Sequence, residues 1–471
     1  MKIIFAKKVS EQVSRVIINH SQETEVLTLV ADFANNKAKP CQKVISIGIG
    51  EKEKFTLRKF ILLGRKIISL AKANKIKELA IDFGDFDDSL ASQLKVERVE
   101  LAKILAIEMV MANFEFVKYK TKPKEGFNFV ETVNLLNADA KDISEAFKKG
   151  MIIGEEINNC RFLVNTPAGD MTPKVLANEA VRIGKKYQIP VKILHQKQIA
   201  DLKMGGILGV SQGSTEEPKF IILEYKKGGS AKPVVLVGKG VTFDSGGLSL
   251  KPADSMIEMG MDMSGGAAVI HTIALAARLG LKKNIIGLIP AVENMPSGSS
   301  YRPGDILRTM SGKTIEVLNT DAEGRVILAD ALTYAKRYNP RLVIDIATLT
   351  GAALAALGER AVALFTKDEQ LEKTFREIGE LSGDYVWPLP LWEEYENDIK
   401  GTFGDIINTG KNRYGGAILG AMFLYQFAKD YPWVHLDIAP RMTSIEGDYL
   451  AKGAAGSPIR LLIKLLENLA S

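Results

Sequence analysis

Asn319-Thr320-Asp321-Ala322-Glu323-Gly324-Arg325 places two carboxylates and a guanidinium within a few residues. Ile315, Val317 and Leu318 precede it, and Val326, Ile327, Ala329, Leu332 and Ala335 follow at helical spacing. That order predicts a strand, a tight turn and a helix start, the repeating unit of an α/β fold. Charges at such a junction lie at the end of a sheet strand, where open α/β folds bind ligands. Asp321 and Glu323 are two residues apart, so an extended backbone would point both to one side. Like charges held together repel, and a divalent cation is the commonest reason to hold them. Acidic residues are also ordinary in a first helical turn. The stretch alone therefore leaves capping and metal binding open.

Working outward, a second stretch tips the balance. Val234 to Val237 reads as a buried strand running into Gly238-Lys239-Gly240-Val241-Thr242-Phe243-Asp244-Ser245-Gly246-Gly247-Leu248-Ser249-Leu250-Lys251-Pro252. Its glycines allow an irregular backbone to approach a ligand closely. Met259-Gly260-Met261-Asp262-Met263-Ser264-Gly265-Gly266-Ala267 follows, with Asp262 just before a helix start and small residues for tight packing. If these junctions converge, Asp244, Asp262, Asp321 and Glu323 surround one pocket. Four carboxylates suit two adjacent ions sharing bridging ligands better than one ion. Of the four histidines, His20, His195, His271 and His435, none lies in these segments. His271, inside an apolar helix, reads as a core residue. An oxygen-rich site suits Mg, Mn or a labile Zn better than a closed structural Zn site. A lysine in such a cluster neutralises charge, or binds metal as the neutral amine once nearby cations lower its pKa. Arg325 cannot act as a base, so it is expected to grip an anion or a developing oxyanion.

The rest of the 471-residue chain alternates strand-like and helix-like runs. In residues 1–140 the strands are an N-terminal run, Val44 to Gly50, Ile76 to Phe83 and Val130 to Leu136. The helices are Phe60 to Leu70 and Leu90 to Ala112, giving a small α/β unit with no chemical constellation. Gly48 and Gly50 are explained by a turn as well as by a phosphate loop. Residues 141–165 read as one linking helix, broken by Pro167, Gly169 and Pro173. Residues 166–471 form a larger α/β segment, with strands at 191–195, 220–225, 234–237, 285–290, 342–347, 362–365 and 434–438. Helical patterns fall at 267–279, 326–336, 417–429 and 458–469. Near-continuous apolar strands imply a central sheet covered on both faces. The expected architecture is thus two α/β units, the larger built on a mixed central sheet flanked by helices.

Composition narrows the class. Hydrophobic content of 46% and charged content of 25% are ordinary globular values. Two cysteines, Cys41 and Cys160, make no disulfide framework and fit a reducing, cytoplasmic setting. The N-terminus makes a poor signal peptide, and no apolar stretch is long enough to span a bilayer. The net charge of +6 permits nucleic-acid contacts, but the basic residues are interspersed with acids. No helix-turn-helix or basic aromatic strip stands out. A two-metal phosphate-ester hydrolase would use the same oxygen ligands and Arg325, and spacing alone does not exclude it.

Asn319 to Arg325 resembles the signature of the leucyl (cytosol) aminopeptidases, a two-metal family. The resemblance runs from about 161 to 465. It takes in Gly238 to Pro252, Glu293-Asn294-Met295-Pro296-Ser297-Gly298, Arg302-Pro303-Gly304-Asp305 and Ala347-Thr348-Leu349-Thr350-Gly351. It implies that Lys239, Asp244, Asp262 and Glu323 hold the tighter metal, and Asp244, Asp321 and Glu323 the exchangeable one. The metals would be Mn or Zn, with Mg or Co at the exchangeable position. Lys251 would polarise the peptide carbonyl, and Arg325 would hold a bicarbonate that takes the proton from a metal-bridging water. The free amino terminus of a short peptide would bind a metal. Met259, Asn319, Thr348 and Gly351 would shape the pocket for the first side chain, favouring leucine-like residues. The resemblance also implies a macro-domain-like N-terminal unit and a homohexamer with active sites facing an internal cavity. An additional DNA-binding or architectural role is known among bacterial relatives. Departures are Gly169 in place of asparagine, Pro440 in place of glycine, and Gly456-Ser457-Pro458-Ile459-Arg460. Altered loops are expected there.

Overall fold

The computed structural model describes residues 1–10, 12–19, 25–30 and 42–469, with backbone alone for 25–30 and 42. His20 and Cys41 lie outside the described residues. The chain divides into two compact units, Met1–Asn158 with Ser444–Lys452, and Asn159–Thr443 with Gly453–Ser471. Among the described residues no helix is long and apolar enough to cross a membrane.

Six strands form the sheet of the first unit: β1 (Lys2–Phe5), β2 (Ser14–Asn19), β3 (Glu25–Val30), β4 (Gln42–Gly48), β5 (Glu78–Asp82) and β6 (Thr132–Leu136). Their order is β1-β6-β5-β2-β4-β3, parallel throughout except for the β3–β4 pair. Ile45 and Ile47, two residues apart, point into the core, as do Val133 and Leu135. Helices Leu57–Ala73 and Arg98–Ala112 meet at Gly64, where a Cβ would lie 3.1 Å from that of Glu108. Phe60, Phe83, Phe86 and Phe147 fill the centre edge-on. The 90–112 stretch is two helices rather than one, because the chain turns at Lys95 with φ of 56°. Arg65 is buried, with Nε 2.5 Å from Glu108 and Nη1 3.4 Å from the Asp448 carbonyl. Asp448 belongs to the 444–452 segment, which the sequence assigns by position to the larger unit. Helix Lys141–Val164 runs past the point at which the units divide.

The second unit contains a nine-stranded mixed sheet. Its strands are β7 (Val191–Leu194), β8 (Lys219–Lys226), β9 (Val234–Gly238), β10 (Gly240–Asp244), β11 (Asn284–Asn294), β14 (Leu342–Ala347), β15 (Val362–Phe365), β16 (Val386–Pro388) and β18 (Trp433–Asp437). The order is β16-β15-β18-β14-β9-β11-β8-β7, with β10 pairing alongside β11. Central strands β11, β9, β14 and β18 run parallel, so their C-terminal ends share one edge. Alternation along them sorts the two faces. Val235, Val237, Ile286 and Leu288 join a cluster with Val326, Ile327, Leu419 and Phe423, from helices Glu323–Ala335 and Gly416–Tyr425. Gly287, on the opposite face, lies against Val269 and Ile273 of helix Ser264–Arg278. A smaller sheet joins β12 (Ile306–Arg308), β13 (Thr314–Glu316) and β17 (Ile406–Ile407).

That smaller sheet corrects one expectation. The strand before Asn319 is β13, and it ends at Glu316 outside the main sheet. Asp321 lies in a turn and Glu323 is the first residue of a helix, so no extended backbone aligns them.

Candidate active site

Three segments, two beside the main sheet and one following β13 of the smaller sheet, deliver charged side chains to one cavity. Lys239 sits between β9 and β10, and Asp244 ends β10. Asp262 stands just before helix Ser264–Arg278, whose first turn is pressed against the sheet. A Cβ at Gly265 would lie 2.1 Å from the Ile346 carbonyl oxygen, so only glycine fits there. Asp321, Glu323 and Arg325 come from the turn and first turn of helix Glu323–Ala335.

Side-chain amides and hydroxyls stitch these loops together. Asn294, at the end of β11, donates to Asp244 Oδ1 at 2.8 Å and to the Thr320 carbonyl at 2.9 Å. Tyr301 Oη donates to that same carbonyl at 2.8 Å. Thr320 Oγ1 donates to the Gly246 carbonyl at 2.6 Å and accepts the Ser249 amide at 2.8 Å. Asn408 accepts the Leu318 amide at 2.8 Å, and its own carbonyl accepts Arg325 Nη1 at 2.9 Å.

The charges then interlock. Lys239 Nζ lies 2.8 Å from Asp262 Oδ2 and 2.7 Å from Glu323 Oε1, and donates to the Thr348 carbonyl at 3.0 Å. Lys251 Nζ lies 2.8 Å from Asp244 Oδ2 and contacts Asp321 Oδ1. Thr348 Oγ1 donates to Asp262 Oδ1 at 2.5 Å. Burial opposes charge on both lysines, yet the surrounding carboxylates win and hold both ammoniums above the ordinary lysine range. Burial pushes the Asp262 and Glu323 carboxyls up, reinforced by Asp244 and countered by Lys239. Asp321 rises for the same first reason. Burial lowers Arg325 to about 10, against the pull of Glu323 and Asp437, so it stays cationic at neutral pH.

A cavity of about 420 Å³ opens onto this cluster. Lys239, Asp244, Lys251, Met259, Asp262, Asn319, Asp321, Arg325, Thr348 and Gly351 line it, and Glu323 is buried close by, in contact with Lys239. The sequence-derived site residues are therefore brought together. His271 is buried in its helix and does not line the cavity. Leu354, Pro440, Met442 and Thr443 also line it. Pro440 is thus a departure at the cavity wall, whereas Pro458 lies just ahead of helix Ile459–Asn468 and Gly169 faces open space. Asn294, Tyr301 and Asn408 were not anticipated in any role. Asn294 lies in the Glu293–Gly298 run, but nothing local marks Asn408.

A metal would fit this donor set. One oxygen each from Asp244, Asp262 and Glu323 lie within 4.8 Å of one another. Oxygens that far apart can share an ion at about 2.0–2.4 Å from each. Asp262 Oδ2, Asp321 Oδ1 and Glu323 Oε1 are buried and each is met by a lysine ammonium, Lys239 for Asp262 and Glu323 and Lys251 for Asp321. Two contacting ammoniums offset only two of the four carboxylates, and a hard cation would offset the remaining charge.

Comparison with known proteins agrees with this geometry. The "Cytosol aminopeptidase family, catalytic domain" matches residues 158–463, and the corresponding N-terminal domain matches residues 9–123. The chain belongs to the cytosol aminopeptidase family. A "Probable cytosol aminopeptidase" of Chlorobaculum tepidum is 44% identical over 93% of this chain and 88% of its own length. One from Roseiflexus castenholzii is 41% identical over 92% and 88%. Among solved structures, the bottromycin maturation enzyme BotP is 31% identical with a TM-score of 0.85, covering 97% of this chain and 99% of its own. BotP has also been solved in complex with Mn. Membership makes this chain an aminopeptidase of a metal-dependent family that acts on peptides at their N-termini.

Proposed function

We propose that the chain removes leucine-like N-terminal residues from short peptides, using Lys239, Asp244, Asp262, Asp321 and Glu323 to hold two divalent ions. The observation that carries this reading is the convergence of four carboxylates at one cavity, with one oxygen each from Asp244, Asp262 and the adjoining Glu323 within 4.8 Å of one another. Lys239, Asp244, Asp262 and Glu323 would hold the tighter ion, and Asp244, Asp321 and Glu323 the exchangeable one. Mn or Zn is the proposed pair, with Mg or Co able to replace the exchangeable ion. When bound, the pair supplies Lewis acidity toward the scissile carbonyl and water.

The chain's own groups do the rest. Lys251 presents an ammonium, held charged by its neighbours, to the oxyanion that develops on the carbonyl oxygen. Arg325 is cationic, and its Nε has no partner among the described residues. It would anchor a small planar anion such as bicarbonate, whose chemistry would be to take up the proton that arginine itself cannot. Met259, Asn319, Thr348 and Gly351 receive the first side chain, and methionine's flexibility predicts a tolerant pocket. A cytoplasmic homohexamer is the proposed working form.

The test is leucyl-amide hydrolysis by metal-stripped protein, titrated with Mn, Zn, Co and Mg, with Lys251→Ala and Glu323→Ala in parallel. Metal should restore activity to the unaltered protein and to neither variant. Retained hydrolysis by Glu323→Ala would overturn the mechanism.

A further inference from the structure

Asp437 ends β18 at the edge that carries the site, is fully buried, and does not line the cavity. Its carboxylate is surrounded by three donors from the 348–350 loop and one from Ala439, just beyond β18. Oδ1 accepts the amides of Leu349 at 3.0 Å, Thr350 at 3.4 Å and Ala439 at 3.2 Å. Oδ2 accepts Thr350 Oγ1 at 2.7 Å. Thr350 Oγ1 in turn accepts the Ala353 amide at 3.0 Å, capping helix Gly351–Leu357.

The loop held this way begins at Thr348. The Thr348 carbonyl accepts Lys239 Nζ, and its hydroxyl donates to Asp262. The Thr348 carbonyl shares a peptide plane with the Leu349 amide that Asp437 holds, and the hydroxyl is carried by the residue that this plane follows. β14 and β18 pair in register at Ala347 and Asp437, so the anchor and the loop start level with each other. A buried carboxylate needs compensation. Four donors supply it here, and the charge also helps keep Arg325 cationic.

We propose that Asp437 is a positioning residue for the reaction, acting through the 348–350 loop to set Lys239 and Asp262 for metal binding. The inference rests on the proposed reading of Lys239 and Asp262 as ligands. A role confined to capping the next helix would affect stability and leave metal affinity alone.

The experiment measures Mn²⁺ affinity by calorimetric titration of metal-stripped protein, together with kcat, KM and thermal midpoint. The variants are Asp437→Ala, Asp437→Asn, Thr350→Val and Asp262→Ala. Altered outer partners of metal ligands typically weaken metal affinity or activity about 10–100-fold. Asp437→Ala is expected to weaken Mn²⁺ binding at least about tenfold and to lower kcat at saturating Mn²⁺, with KM within about twofold. Asp437→Asn keeps an acceptor for the loop amides and should recover most of the affinity. Thr350→Val removes one of the four bonds and should lose affinity in the same direction, about threefold. If Asp437→Ala does not fold, Thr350→Val decides. Mn²⁺ affinity unchanged in Thr350→Val, or in Asp437→Ala where it folds, with only the thermal midpoint moved, overturns the proposal. Unchanged affinity in Asp262→Ala overturns the ligand reading beneath it instead.

Discussion

Asn294 holds Asp244 by one side-chain N–H and the Thr320 carbonyl by another. Asn294→Ala is expected to cost about 10–100-fold in Mn²⁺ affinity or kcat/KM while leaving the fold intact, because it removes one restraint on the carboxylate, leaving the Gly246 amide and Lys251. Titration of the stripped variant checks this, and wild-type affinity would show that Asp244 needs no such restraint. The prediction marks where reading the sequence stopped. Lys239, Asp244, Asp262, Asp321 and Glu323 were legible because charges stood among glycines at junctions between periodic runs. Asn294 and Asp437 stood inside recognisable motifs, but their work is done across gaps of 50 and 88 residues, and no local pattern encodes such partners. Asn408 had even less to mark it, since asparagine after a short strand is ordinary turn chemistry.

At the scale of elements, helix Glu323–Ala335 begins with a close approach. A Cβ on Gly324 would lie 2.5 Å from Lys239 Cε and 2.8 Å from its Nζ. Alanine gains about 1 kcal/mol of helix propensity over glycine, so Gly324→Ala should change the thermal midpoint little. It must displace the Lys239 ammonium, so activity should fall at least about tenfold, a split that paired melting and kinetic assays resolve. Further along the same helix, Asp330 is buried and accepts the Ile207 amide at 3.0 Å and the Met310 amide at 2.7 Å. Burial pushes it up to about 7 against the pull of those amides and that of Gly206. A carboxyl raised in the fold keeps a proton that the open chain has already released. Stability therefore falls as pH rises from about 4 toward 7, by up to about 1.4 kcal/mol per unit. Asp330→Asn should flatten that slope in denaturant melts at pH 5, 6 and 7, and parallel curves would refute it. Long apolar strands such as Leu342–Ala347 were readable because both faces are covered. The two- and three-residue strands β12, β13 and β17 were not, since so short a run carries no period.

For the whole molecule, each unit has its own hydrophobic core. Thermal unfolding is accordingly expected to depart from a single two-state transition. Glu108→Ala would leave the buried Arg65 guanidinium without its 2.5 Å partner. Breaking such a pair costs about 3–5 kcal/mol. Calorimetry should show the first unit's transition lowered and the second's unmoved, and a uniform shift would contradict the division. Sequence reading placed residues 444–452 with the larger unit because nothing near Asp448 announces a partner 383 positions earlier.

That same segment sets an order of events during synthesis. Arg65 leaves the ribosome early, but Asp448 and Leu450 emerge only after every strand of the nine-stranded sheet has been made. The N-terminal unit must wait, with its buried guanidinium incompletely matched, until translation is almost finished. Co-translational folding in this chain cannot run strictly from front to back, and the first unit to be started is among the last parts to be closed.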